Sequence, residues 1–201
     1  MVESGLSANL ATRARAMMTS PARAWADIAN EPSTTASVLQ GYVFPLAMIA
    51  PILQLAGALI FEQKPAVYAC AEAVVLFLLE VASLFVVAFI ADAFMPAFGG
   101  VKNSEATFKW IAYASTARWL AGIFAVIPVF GWMIVLMASL YSLYALALGT
   151  VPMLGVSPAK ATGFTTVVVV GYIVVLLAVQ VCLHFFMTLI FPGVVIGFPG
   201  R

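Results

Sequence analysis

The sequence predicts an all-α polytopic membrane protein, a transmembrane helical bundle of five spans preceded by an amphipathic N-terminal helical segment. Two observations predict this class. Of the 201 residues, 64% are hydrophobic and only 8% are charged, whereas a soluble domain is about 25% charged. The charged residues are also concentrated in a few places, with long uncharged runs between them. A run of about 20 apolar residues is long enough to cross the ~30 Å hydrocarbon core of a membrane.

Residues 1–32 are less apolar and predict a cytoplasmic amphipathic segment. Apolar side chains such as Met17 and Trp25 recur at helical spacing, while Arg13 falls on another face. Pro21 follows a serine and predicts a break between two short helices. An amphipathic segment with tryptophan and arginine is suited to lie on the anionic inner leaflet. A loosely folded cytoplasmic tail is the alternative interpretation.

Residues 33–195 are predicted to form the five-span membrane domain. The spans run over about residues 39–61, 67–95, 108–126, 130–149 and 164–191. Pro45 and Pro51 lie inside the first run and predict a kinked helix packed on its neighbours. The apolar run from 110 to 149 is too long for one span, so we divide it at Pro128 into a tight hairpin. Residues 196–201 are predicted to form a short outer tail.

The orientation follows from the lysines and arginines near the ends of the spans, because cytoplasmic loops carry the excess of these residues. With the N-terminus in the cytoplasm, only Lys64 and Arg201 lie outside. Six basic residues then lie inside: Arg13, Arg15, Arg23, Lys102, Lys109 and Lys160. An odd number of spans places the C-terminus outside.

Several functional classes are disfavoured by composition and motifs. The net charge of +1 provides no strong field for nucleic acid. Two cysteines and one histidine cannot supply a four-ligand Cys/His metal site. The sequence contains no nucleophile beside a base and no glycine-rich phosphate loop followed by lysine. We therefore predict no enzymatic activity and no cofactor.

Short motifs recur in a fixed order along the five apolar runs. Those at the start are Trp25, Ile28, Glu31-Pro32, Gly41-Tyr42 and Pro45-Leu46; those in the third run are Tyr113, Thr116, Leu120-Ala121-Gly122 and Ile127-Pro128. The later ones are Tyr141, Tyr144, Gly149, Pro152 and the stretch from Lys160 to Gly171. In this order and spacing, nearly the whole chain resembles the Yip1 family of small five-span membrane proteins. Many members have a proline after the Tyr-x-x-Thr of the third span, where this chain has Ala117.

The resemblance implies a non-enzymatic integral membrane protein that organises or associates with other membrane components. It implies contact with the lipid bilayer and a partner that is a second copy or another membrane protein. The short tail is similar to that of bacterial members, which implies the bacterial inner membrane. Eukaryotic members are associated with membrane traffic and small GTPases. Their acidic-aromatic tail motif is not evident here, so GTPase binding is not carried over to any residue.

Ionisable side chains inside spans are the candidates for a functional site, because a charge at the centre of a spanning helix costs about 2.5–3.5 kcal/mol on insertion scales. Glu80 in the second span and Arg118 in the third both fall near the predicted midplane. We predict an ion pair between them, with Gln180 of the fifth span as a third member. Either the group fixes the register of the helices, or it belongs to a proton or ion pathway.

Glu72 and His184 form a second candidate group, both towards the outer side of their spans. A carboxylate with a histidine could relay protons or bind a metal, although two ligands make a poor metal site. A histidine hydrogen-bonded in the bundle or exposed at the interface is the structural alternative. Together with the Glu80 group, these residues define the alternative function, a small channel or transporter. A cavity that reaches Glu80 would favour that function over an organising role.

Overall fold

The computed structural model describes residues 3–127 and 129–195, with the side chains of 10–127 and 129–194. The predicted outer tail, 196–201, lies outside the described residues. In the described ranges, every regular element is a helix. The α-helices are α1 Glu3–Thr19, α2 Pro21–Asn30, α3 Thr35–Val38, α4 Phe44–Ala47, α5 Ile49–Ile60, α6 Ala66–Phe94, α7 Ser104–Ala114, α8 Thr116–Ala121, α9 Phe130–Leu154, α10 Pro158–Ile190 and α11 Pro192–Val195. A π-helical turn covers Leu39–Val43, and 3₁₀ turns cover Met95–Phe98 and Gly122–Val126.

Four stretches are helical, long and apolar enough to cross a membrane: Thr35–Ile60, Ala66–Phe98, Phe130–Leu154 and Pro158–Ile190. They correspond to the first, second, fourth and fifth predicted spans. The structure therefore supports a helical membrane bundle, with four candidate spans among the described residues instead of the five that the sequence predicts.

The third predicted span, 108–126, forms three short pieces in place of one long helix. Helix α7 ends at Ala114, α8 begins at Thr116, and a 3₁₀ turn follows from Gly122. The segment includes two charged residues, and all residues from 107 to 117 are buried. The two charged residues have a physical reason, because a segment covered by other helices does not need to face lipid along its whole surface.

Helices α7 and α8 run antiparallel to α9 along most of its length. The indole Nε1 of Trp110 donates a hydrogen bond to the carbonyl of Leu146 at 2.9 Å. Two turns further along, the backbone N–H of Arg118 donates to Oγ of Ser142 at 3.2 Å. The short pieces therefore accompany α9 from one end of the bundle towards the other, with the hairpin turn between them.

The N-terminal helices insert side chains into the bundle, a packing that the amphipathic pattern alone did not predict. Met17, Trp25 and Ile28 are at most 1% exposed and belong to the main hydrophobic core. The indole Nε1 of Trp25 donates to the carbonyl of Ala145 at 2.8 Å. Gly149 makes room for this ring, since a Cβ there would lie 2.6 Å from Trp25 Cε2. The amphipathic pattern of this segment is the same whether its apolar face packs on lipid or on the other helices of the bundle.

The first predicted span is irregular around Pro45, where a π-helical turn precedes the proline. The backbone N–H of Phe44 bonds to the carbonyl of Leu39, five residues earlier, and proline has no N–H with which to continue an α-helical ladder. The helix becomes regular again in α4 and α5. The widened turn places Gly41 and Tyr42 beside α7, where the rings of Tyr42 and Tyr113 lie 4.3 Å apart.

Candidate functional site

Polar side chains lie at both ends of α6 and in its interior. At one end, Oε2 of Glu72 lies 3.4 Å from Nζ of Lys64, in the turn between α5 and α6. At the other end, Asp92 accepts a 2.6 Å hydrogen bond from the hydroxyl of Ser104. About 20 residues separate the two carboxylates, or about 30 Å of helix, which matches the thickness of a hydrocarbon core. Glu80 lies well inside this interval.

We call the end of the bundle that holds the α5–α6 turn the turn end, and the opposite end, with α1 and α2, the tail end. The turn end also holds the last residue of the 3₁₀ turn Gly122–Val126, since a Cβ on Gly57 of α5 would lie 2.8 Å from the carbonyl oxygen of Val126. The tail end is filled by the main core, in which Trp25, Trp110 and Phe164 are fully buried. The two ends therefore differ in packing.

Glu80 and Arg118 are in contact in the structure. Nη2 of Arg118 donates to Oε1 of Glu80, and the indole Nε1 of Trp119 donates to the same oxygen at 3.3 Å. The side chains of Glu80 and Arg118 are 9% and 12% exposed. Within the described part of the chain, Nε of Arg118 is buried and has no hydrogen-bond partner. The pair is therefore largely buried, and one hydrogen-bond donor of Arg118 has no acceptor among the residues described.

A cavity of about 380 Å³ reaches this pair from the turn end. We call it the vestibule. It is lined by residues of α5, α6, α8, α9, α10 and the 3₁₀ turn, so each of the five predicted spans contributes to its wall. Its polar lining residues are Gln54, Glu62, Glu80, Arg118, Trp119 and Gln180. The remaining lining is largely apolar, as is common for sites that bind small molecules.

Gln180 lines the vestibule but remains exposed on the outside of α10. Among the described residues, its amide makes no hydrogen bond to Glu80 or Arg118. The predicted group of three therefore consists of an ion pair with Gln180 nearby in the same cavity. The wall of the vestibule is thin on the side formed by α10, because Gln180 contacts both the cavity and the surroundings.

Glu72 and His184 are not joined by a hydrogen bond or an ion pair in the described part of the chain. Glu72 faces Lys64, whereas His184 is exposed. The face of α10 that packs against α6 carries Leu183 and Met187, and consecutive residues point about 100° apart on a helix. His184 therefore lies off the face of α10 that packs against α6. In the same described ranges, no group of three or more His, Cys, Asp or Glu side chains is arranged to hold a metal ion.

Three residues of the site were missed by sequence reasoning. Gln54 is a polar amide inside an apolar span, which is the same signal that identified Gln180. Trp119 follows Arg118 directly, but tryptophan is too common in membrane proteins to indicate a hydrogen bond to a carboxylate. Glu62 was assigned only to a turn, and nothing in its surroundings predicts that it lines a cavity.

A family model described as the Yip1 domain matches residues 15–180 of the chain. The chain belongs to the Yip1 family. This Yip1 domain includes α2, the vestibule and the whole of the Glu80–Arg118 pair. No curated protein and no solved structure matches the chain.

Proposed function

We propose that this Yip1 protein is a non-enzymatic, five-span protein of the bacterial inner membrane whose vestibule admits a small polar solute or ion to the Glu80–Arg118 pair, as in a small channel or transporter. The vestibule is the observation that carries the proposal, because it is lined by all five predicted spans and reaches a buried ion pair. Charged groups inside a membrane are rare and usually mark a pathway or a binding site.

Five crossings are proposed because α7, α8 and the 3₁₀ turn accompany α9. Helix α9 is long and apolar enough to span, and a segment that follows it from Leu146 to Gly131 covers the same depth. The neighbouring helices bury this segment, which allows Lys109 and Arg118 to be tolerated there. With the N-terminus in the cytoplasm, the tail end is inside, the turn end is outside, and the C-terminus lies outside.

The charges in the vestibule favour a cation or a proton over an anion. Among the lining residues, Glu62 and Glu80 contribute two carboxylates and Arg118 contributes one guanidinium. Nζ of Lys64, which is not part of the lining, lies 2.9 Å from Oε2 of Glu62. The amides of Gln54 and Gln180 supply both donors and acceptors. Since the aromatic core fills the tail end, the described conformation is open towards one side of the membrane only. Passage to the other side would require a rearrangement of that core.

Cysteine accessibility tests whether water and small ions enter the vestibule. Gln54→Cys is introduced after Cys70 and Cys182 are replaced by alanine, and intact cells are treated with a small cationic methanethiosulfonate. Gln54→Cys is expected to react because thiolates form only in a hydrated setting. The matched control is Ile52→Cys, two residues away on the exposed apolar face of α5, which is expected to stay unreacted. Equal protection of both thiols would contradict the proposal.

Flux through vesicles tests what the vestibule does. The purified protein is reconstituted with a pH-sensitive dye inside the vesicles, and a potassium diffusion potential drives protons. We expect a protein-dependent flux that falls at least about tenfold in Glu80→Gln but not in Glu105→Gln, an exposed carboxyl near the tail end. A reactive Gln54→Cys together with an absence of flux for protons and potassium would favour the second candidate function.

The second candidate is the organising role, in which the protein associates with other membrane components. The exposed Gln180 favours it, because an amide in hydrocarbon gains a hydrogen bond when another helix covers it. A second copy of this chain or another membrane protein would close the thin wall of the vestibule at α10. Extraction of the tagged protein with its native lipid, followed by mass spectrometry, is expected to retain such a component at near-stoichiometric amounts, and less of it in Gln180→Leu.

A further inference from the structure

A second cavity, separate from the vestibule, lies at the tail end of the bundle. It has a volume of about 200 Å³ and lies between α1, the connection from α2 to α3, the π-helical turn and α7. Its polar lining residues are Arg13, Glu31, Ser33, Ser37, Tyr42 and Tyr113. Because these residues come from three distant parts of the sequence, the folded chain has to bring them together. We call this cavity the tail pocket.

Ser33 is the first observation that points to a ligand in the tail pocket. Its hydroxyl oxygen is buried and has no hydrogen-bond partner among the described residues. Buried polar atoms without a partner are rare in native proteins, and each one calls for a physical explanation. Ser33 lines the tail pocket, so a ligand with an acceptor oxygen could receive its hydrogen bond there.

The charges around the tail pocket favour an anion. Arg13 lines it, and its Nη2 donates to Oε1 of Glu31 at 2.7 Å. Lys109 lies beside it, with Nζ donating to the backbone carbonyl of Glu31 at 2.6 Å. Two cations therefore face one carboxylate. An incoming anion could share the planar guanidinium of Arg13, which suits bidentate oxygen groups.

The π-helical turn Leu39–Val43 is the third observation. Such turns are rare and occur frequently at functional sites. In this protein the turn places Gly41 and Tyr42 in the wall of the tail pocket. The hydroxyl of Tyr42 is 2.6 Å from Oγ1 of Thr116, so the wall of the pocket is held by a hydrogen bond to α8.

The geometry points to a phosphate-binding site in the tail pocket, occupied by the phosphate of a lipid headgroup or of a soluble phosphorylated compound. A phosphate combines a negative charge with several acceptor oxygens, which matches the two nearby cations and the unpartnered hydroxyl of Ser33. The Ser37 hydroxyl already donates to the carbonyl of Thr34 at 2.8 Å. The pocket lies directly before Thr35, where the first candidate span begins. Headgroup phosphates occur at that level of a membrane, and soluble phosphates reach it from the aqueous side.

Thermal unfolding of the full-length protein in maltoside micelles, which contain no phosphate, tests the site. One arm adds inorganic phosphate, with chloride at equal ionic strength as the reference. The other arm adds phosphatidylglycerol without inorganic phosphate. We expect a saturable rise in Tm in at least one arm, because a ligand that binds only the folded state stabilises it. A response to the lipid alone identifies a headgroup, and a response to inorganic phosphate identifies a soluble ligand.

The Ser33→Ala variant separates ligand binding from folding. Because the Ser33 hydroxyl makes no hydrogen bond in this structure, its loss is expected to leave Tm unchanged or higher when no phosphate is present. Half-saturation is expected to require about tenfold more ligand, as for a lost hydrogen bond to a charged group. Arg13→Gln should abolish the response, and Arg15→Gln, an exposed cation on the same helix, should retain it. No rise in either arm, or an equal response of Ser33→Ala and the parent protein, would overturn the inference.

Discussion

The bonding of the Glu80–Arg118 pair is asymmetric. One carboxylate oxygen accepts from both Arg118 and Trp119, while Nε of Arg118 is buried without a partner in the described structure. Desolvation of two charges can cost as much as their attraction returns, so a buried pair is not in itself a source of stability. Its loss becomes expensive when only one partner is removed, because the other charge is then left uncompensated.

A double-mutant cycle measures the coupling energy between Glu80 and Arg118. Glu80→Gln and Arg118→Gln should each lower the free energy of unfolding by about 3 kcal/mol. The double variant should lose less than the sum of the two, since neither charge is then left alone. SDS-induced unfolding measures all four proteins. Glu62→Gln, at the exposed mouth of the vestibule, is the control and should change stability by no more than about 0.5 kcal/mol. Additive losses would mean that the two side chains are not coupled.

At the scale of elements, α1 and α2 are docked to the membrane domain by contacts at two heights. Trp25 and Met17 are buried in the core, and the hydroxyl of Tyr141 donates to the carbonyl of Met18 at 2.9 Å. Nearer the surface, Arg13 pairs with Glu31. The hydrogen bonds from Arg13 hold the pKa of the Glu31 carboxyl below its ordinary value of 4.5. The docking of the tail is therefore linked to pH.

The difference in Tm between the parent protein and Glu31→Gln should depend on pH. A lowered pKa in the folded state stabilises the fold at pH values above the ordinary carboxyl pKa, and this contribution disappears as pH falls through the lowered value. We therefore expect Glu31→Gln to be less stable than the parent at pH 7, and the difference to shrink progressively as pH falls below 4.5. Asp27→Asn, an exposed carboxyl on α2, serves as the control. A difference that stays constant from pH 7 to pH 3 would refute this link.

The N-terminal helices and the third span were harder to predict than the other four spans. Four spans could be predicted because lipid imposes apolar composition on any helix that faces it. That rule does not apply to residues 107–117, which are surrounded by protein. Trp25 could be assigned to an apolar face, but its partner Ala145 lies 120 residues away, and no local pattern records such a contact.

At the scale of the whole molecule, the position of Glu80 and Arg118 could be predicted because the cost of charge in a membrane singles them out. The cavity around them could not, since it depends on how five segments fail to fill the turn end. Ser33 was missed for a related reason. A serine in a polar connection is ordinary in sequence, and only burial without a partner makes it unusual.

The proposed topology has a direct test in a cysteine-free background. Gln63→Cys, in the α5–α6 turn, should react with a membrane-impermeant maleimide on intact cells, because that turn is proposed to lie outside. Val101→Cys, which is at a strongly exposed position in the loop before α7, should react only after the cells are permeabilised. A thiol in the exposed part of the loop near Ser157 should behave like Val101→Cys. The opposite pattern at either end would reverse the orientation or reduce the number of crossings.

The hydrogen bond from Trp25 to Ala145 also determines when the N-terminal helices can dock during synthesis. The ribosome makes the tail first, yet its binding surface on α9 is translated 120 residues later, or roughly 6–24 s at about 5–20 residues per second. During that interval the indole has no partner on the nascent chain. An insertion intermediate that stops after the second span should therefore expose its N-terminus to proteases and chaperones, and the arrival of the fourth span should be what protects it.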